Sequence, residues 1–190
     1  MTYKRYFSPF ERLVLNRIGP HTLVSLPIVR EFEDSYLSSL LALRYDLRGK
    51  VVVDVGCDEG TTPLIWRALG ASKVIAYESN ERFVWRMERL RKEPWFDFRG
   101  KWEGETPPGD MLKIDIEGYE WKLDLAALKS YELWFLALHH HARLFPELTT
   151  YHLEPEVLKA GGRLVYKHTT GRERMFVGGR VLQQDLETEP

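Results

Sequence analysis

The stretch Val51-Val52-Val53-Asp54-Val55-Gly56-Cys57-Asp58-Glu59-Gly60-Thr61 decides the fold. Val51 to Val55 is almost wholly β-branched, with hardly any polar alternation. Such a run suits a strand buried on both faces, as in a parallel sheet. Gly56 to Gly60 makes a turn, and Thr61 to Leu69 reads as a helix ended by Gly70. A second strand follows at Lys73 to Tyr77, and Asn80 caps a helix over Glu81 to Lys92. Phe96 to Trp102 reads as a weak strand, Glu103 to Gly109 as a Pro- and Gly-rich loop, and Met111 to Ile116 as another buried strand. Trp121 to Leu128 is a short helix, Leu133 to His139 a strand, and Pro155 to Ala160 a helix stopped by Gly161-Gly162. Arg163 to His168 and Arg174 to Val177 form a closing hairpin. Alternating strands and helices predict a Rossmann-like α/β three-layer sandwich, mostly parallel, with an antiparallel C-terminal hairpin.

Upstream, Ser8 and Pro9 open a helix that Gly19-Pro20 stops, and a second helix is read over Val29 to Leu43. The expectation is one domain: a helical extension or lid at 1–45, a core at 50–180 and a frayed acidic tail at 183–190. The chain has 190 residues, 44% hydrophobic and 29% charged, an ordinary globular composition. The net charge of -1 gives no support for nucleic acid as a partner, and none is expected, although a local basic patch stays open because charges can segregate in space. Arg82, Arg86, Arg89, Arg91 and Lys92 are read as a solvated helix face. Cys57 is the single cysteine, so neither a disulfide nor a multi-thiolate metal site is available. No apolar run approaches the ~20 residues that span a bilayer, and the first residues lack the apolar core of a secretory signal. The expected location is the cytoplasm, with no membrane partner.

Asn occurs at 16 and 80 and Gln at 183 and 184. Scarcity of thermolabile amides accompanies hyperthermophile sequences. A thermal melt is therefore expected to show a midpoint above the mesophile range of about 45–65 °C; a midpoint inside it removes this reading.

In a doubly wound sheet, ligands sit over the carboxyl ends of the strands. Gly56 permits a tight turn and close ligand approach, and Gly60 close packing of helix on strand. Asp54, Asp58 and Glu59 make this turn acidic, which repels a pyrophosphate and disfavours a nicotinamide cofactor. Carboxylates suit a ligand with a positive centre and an ammonium group, as in S-adenosylmethionine. Glu78 ends the second strand about twenty residues after Gly56, the interval for a ribose contact. A charge at the N-terminus of the following helix is its competing role. For Asp54 the competing role is a buried strand-end acid bonding turn amides.

Val53 to Gly60, Ile75-Ala76-Tyr77-Glu78 and Leu112-Lys113-Ile114-Asp115-Ile116-Glu117-Gly118-Tyr119-Glu120 together resemble the FkbM-type methyltransferases. The likeness covers about Lys50 to Leu138. It implies a Rossmann-like fold, S-adenosylmethionine as methyl donor and transfer to oxygen of a sugar or other small hydroxylated acceptor. By that likeness Asp54, Gly56, Cys57, Asp58 and Gly60 line the cofactor, Glu78 holds its ribose, and Asp115 and Glu117 form the floor. The interval from Glu78 to Asp115 is shorter than in that family. The loop at Glu103 to Gly109 stands where a helix is usual, which leaves Trp102, Glu103 and Glu105 near the adenine. Trp102 either stacks on that ring or packs internally. Trp66 and Trp85 are expected in the core.

Methyl transfer needs alignment and exclusion of water, and an oxygen acceptor gains from a base. Asp115 and Glu117 alternate along a strand end and so are expected to point apart, with Asp115 favoured as the site-facing acid. His139 and His141 share a face of an extended segment, roughly 6.5–7 Å apart. His139 is read as a base or acceptor contact, with a purely structural role open, and with a share in metal binding beside His141 open as well. The spacing of ligand types supports no metal, and none is expected. Two functional readings stand: a methyltransferase, or a methyltransferase fold reduced to cofactor binding or interaction. A homodimer is one option for the assembly.

Overall fold

The valines from Val51 to Val55 form strand β1 at the centre of the sheet. The computed structural model describes residues 45–182 apart from 59, 141–148 and 169. The expected N-terminal helices, His141 and the tail at 183–190 lie outside the described residues.

In chain order the elements are β1 (Val51–Val55), α1 (Thr61–Ala68), β2 (Lys73–Tyr77), α2 (Glu81–Leu90), β3 (Phe96–Phe98) and β4 (Met111–Ile114), then β5 (Leu133–His139), α3 (Glu154–Lys159), β6 (Arg163–Lys167) and β7 (Glu173–Gly178). Among the described residues the sheet has the order β3-β2-β1-β4-β5-β7-β6. The first five strands pair parallel, while β7 runs antiparallel between β5 and β6. This is the mostly parallel sheet with a closing hairpin that the sequence predicts.

Both faces of the sheet are covered, which is why the strands carry so little polar alternation. On one face Val52, Val74, Met111 and Phe135 pack with Ile65 and Trp66 of α1 and Met87 of α2. On the other, Val53, Ile75, Leu112 and Leu136 pack with Leu128, Tyr131 and Val157 of α3. No helix among the described residues is long and apolar enough to cross a membrane.

Asn80 caps α2 as read, its side chain accepting from Arg82 N. Four readings differ. β4 stops at Ile114 rather than Ile116, because its pairing with β1 ends at Val55 and Ile114, where Gly56 turns the partner chain away with a left-handed φ of 79°. β3 ends at Phe98, and a loop runs from there to β4. The segment after β4 forms two 3-10 turns, Glu120–Lys122 and Leu125–Ser130, instead of one α-helix. Asp124 divides them by accepting from Ala126 N, a local bond that competes with helix continuation. Trp85 is 50% exposed, not in the core. Val84, Met87 and Leu90 form the inward stripe of α2, which turns Trp85 away. Arg82, Arg91 and Lys92 are exposed as expected for a solvated face; the side chains of Arg86 and Arg89 lie outside what is described.

Candidate functional site

The parallel strands β1, β2, β4 and β5 end on one edge of the sheet, and the candidate site is built there from their C-terminal residues. Gly56 and Cys57 both donate their backbone N–H to Tyr77 O, at 3.0 and 3.1 Å. This ties the first turn to the end of β2. Gly56 has φ 79°, and a Cβ there would sit 1.7 Å from Asp115 O. The turn therefore touches the backbone that continues β4, and only a residue without a side chain fits. At Gly60, φ 85°, a Cβ would meet the end of Met87 at 2.3 Å, so α1 and α2 approach closely here.

Glu78 reaches back over this turn. Its Oε2 accepts from Asp58 N at 2.9 Å, and Oε1 accepts from Ser79 N and Asn80 N at 2.8 and 2.7 Å. Asp58 has a left-handed φ of 50°. A carboxylate offers about four lone-pair positions. Three are taken by amides, which leaves about one for a ligand hydroxyl. Glu78 thus shapes the turn as well as standing at its rim.

Asp54 is placed differently from its expected position lining a cofactor. It is fully buried beneath the turn. Its Oδ2 accepts from the Thr62 hydroxyl and, at 2.9 Å, from Trp66 Nε1. Lys113 Nζ lies 3.4 Å from Oδ1 and donates to Gly56 O at 2.5 Å. Burial works against the Lys113 charge, yet Asp54 and then Asp115 outweigh it and raise its pKa above the ordinary lysine value. A buried ion pair therefore underlies the turn. Among the described residues, the partners of Asp54 are the Thr62, Trp66 and Lys113 side chains. Cys57 is buried, and burial first, then Asp54, pushes its thiol well up. It is a protonated packing residue against Met87, 3.7 Å away sulfur to sulfur.

Trp102 is buried, with Nε1 donating to Glu105 O at 2.7 Å. It packs in the core with Tyr77 and Leu123. Glu103 is exposed and pairs with Lys101 at 2.6 Å and Lys122 at 2.5 Å. Lys101 and then Lys122 lower its pKa to about 2.

Asp115, Glu117 and His139 come together. Because β4 ends before them and Glu117 is left-handed, the two acids converge rather than pointing apart. His139, at the end of β5, places Nε2 3.4 Å from Asp115 Oδ1 and 3.8 Å from Glu117 Oε1. Its Nδ1 lies 2.8 Å from Oε1 of the fully buried Glu120. Burial disfavours the imidazolium, but the hydrogen bond and charge of Glu120, with Asp115 and Glu117, more than offset it and raise the pKa to about 9. Thr150 fixes the strand end, accepting from His139 N at 2.9 Å. Asp115 borders the first turn directly, through Gly56 and through its N–H to Val55 O at 3.0 Å.

Sequence reasoning gave no part in the site to Glu120, Lys113, Thr62 or Thr150, and placed Trp66 in the core, where it is buried, without its bond to Asp54. Lys113 carried a signal, a charge inside a buried strand, which demands a buried partner. Glu120 stood only as the last residue of the Leu112 to Glu120 motif, without a role, because its pairing with His139 spans two elements.

No protein-family model matches the sequence. The fold is that of the S-adenosylmethionine-dependent methyltransferases. It resembles magnesium protoporphyrin IX methyltransferase from Synechocystis PCC 6803 with bound SAH, with TM-score 0.58 and 14% identity over 93% of this chain and 90% of that one. It also resembles precorrin-6y C5,15-methyltransferase from Geobacter metallireducens, with TM-score 0.54 and 13% identity over 75% and 86%. Fibrillarin from Aeropyrum pernix with natively bound S-adenosyl-L-methionine gives TM-score 0.52 and 12% identity over 75% and 73%. In sequence the chain is 33% identical over 116 residues to "Uncharacterized protein 65" of a Sulfolobus islandicus filamentous virus, covering 58% of this chain and 68% of that protein. It is 31% identical over 120 residues to "Uncharacterized protein 158B" of Sulfolobus islandicus rod-shaped virus 1, covering 58% and 70%. With a methyltransferase fold beneath it, the chain belongs to the family of these two viral proteins.

Proposed function

We propose that this protein is an S-adenosylmethionine-dependent methyltransferase acting on the oxygen of a small hydroxylated or sugar-like acceptor. The observation that carries the reading is the first turn. It is acidic, left-handed at Gly56 and Asp58, braced by Glu78 and bordered by Asp115, on a methyltransferase fold. The backbone of this turn and the free rim of Glu78 receive the cofactor, with one ribose hydroxyl on the carboxylate. Asp54 acts from below, holding the turn through Lys113.

In the transfer the acceptor oxygen forms a bond to the methyl carbon as the carbon–sulfur bond breaks, leaving a neutral thioether. The hydroxyl proton passes to Asp115, which His139 and Glu120 hold in place. The acceptor approaches over the ends of β4 and β5.

Calorimetric titration of the full chain with S-adenosylmethionine is expected to show one site. Glu78→Gln is expected to weaken it by about 1–3 kcal/mol, the worth of a charged hydrogen bond. Absence of binding at millimolar cofactor overturns the reading. Unchanged affinity in Glu78→Gln removes the ribose role.

A further inference from the structure

The trio at the ends of β4 and β5 has a donor set and a geometry that go beyond a proton relay. We propose that Asp115, Glu117 and His139 bind a divalent cation of the manganese or magnesium class, which presents the acceptor oxygen to the methyl donor. The binding of the cation stands by itself; its role toward the acceptor rests on the methyltransferase reading.

One carboxylate oxygen from each acid and a ring nitrogen of His139 lie within 4.8 Å of one another. An octahedral cation with bonds of about 2.1 Å sets adjacent ligands about 3 Å apart. The observed separations from Nε2, 3.4 and 3.8 Å, need closing by less than about 1 Å. Glu117 supplies that movement, because its side chain is 73% exposed. His139 is the fixed member, buried and held at Nδ1 by Glu120. A carboxylate on one ring nitrogen that aims the other at a metal is a recurring second layer of metal sites.

Charge points the same way. Three carboxylates surround one imidazole, and Oε2 of Glu120 is buried with no hydrogen-bond partner among the described residues. Glu120 and His139 are buried, while Asp115 and Glu117 open toward solvent, so a cation reaching Nε2 from outside meets the two acids there. Two carboxylates and one imidazole suit manganese or magnesium over thiolate-seeking metals. With three protein ligands, the remaining positions are open to water or substrate oxygens. A hydroxyl bound there loses its proton more readily.

The sequence reading assigned no metal because it sought the second ligand along β5, at His141. The fold supplies it from the end of β4 instead.

The test is a manganese titration of the full chain without S-adenosylmethionine, followed by electron paramagnetic resonance. One bound ion per chain is expected, with the nitrogen coupling of a directly bound imidazole. Glu117→Gln, exposed and remote from the core, is expected to fold normally and to bind manganese more weakly. Glu120→Gln is expected to weaken binding about 10- to 100-fold through the orientation of His139. No bound ion at millimolar manganese, a bound ion without nitrogen coupling, or wild-type affinity in Glu117→Gln overturns the proposal. Manganese binding with no cofactor binding keeps the cation site and removes its methyl-transfer role. Cofactor binding with no manganese site does the reverse.

Discussion

Gly56→Ala is expected to destabilise the protein by about 3–5 kcal/mol, among the largest effects of any single substitution here. Two costs combine. A non-glycine residue in the left-handed region costs about 1–2 kcal/mol. The added Cβ would also stand 1.7 Å from Asp115 O. That oxygen belongs to backbone, so it does not swing aside as a side chain would. Relief requires β1 and β4 to separate at the point where Asp115 N bonds Val55 O. Gly49→Ala is the control: its φ is 77°, and a Cβ there meets nothing within 4 Å among the described residues. It isolates the backbone cost alone. Denaturant unfolding of both variants measures the difference. Equal losses would show that the close approach of the turn to β4 carries no weight.

Lys113→Met is the second large effect, at about 3–5 kcal/mol, because it strands the Asp54 carboxylate in the core. Asp54 is fully buried, Lys113 is its paired cation, and Gly56 O loses its donor at the same time. The double variant Asp54→Asn with Lys113→Met is expected to recover much of the loss. The asparagine still accepts from Thr62 and Trp66, and no charge remains buried without a partner. Unfolding curves for the two single variants and the double variant close the cycle. A loss below about 1 kcal/mol in Lys113→Met would falsify the claim that the pair underpins the first turn.

These two residues illustrate what was legible. The valine run of β1, the apolar run of β5 and the Asn80 cap were read with correct type and close boundaries, because each expresses a chain-local rule. A strand covered on both faces drops its polar alternation, and a side chain that caps a helix acts within three residues. Gly56 was recognised as a turn glycine, but its actual constraint, the backbone of Asp115, lies 59 positions further on. Trp85 was misplaced because a tryptophan on a helix says nothing about which stripe the helix buries. Trp102 and Glu103 were candidates for an adenine contact; in the fold one is buried with its N–H bonded to Glu105 and the other is held by two lysines.

The sequence by itself determined the element order, the parallel sheet with its closing hairpin, and the first turn as the place to look. Hydrophobic periodicity and turn residues encode these, and both act over a few residues. Only the tertiary structure decided where the acids point. Asp54 turns under the sheet edge to meet Lys113, while Asp115 and Glu117 turn toward His139 and Glu120. The reason is physical: a side chain's direction past a strand end follows from left-handed residues such as Glu117, and its charge state from partners on other strands. The β1–β4 pairing for Asp54 and Lys113, and the β4–β5 pairing for Asp115 and His139, bring those partners together across a separation in sequence that no local pattern records.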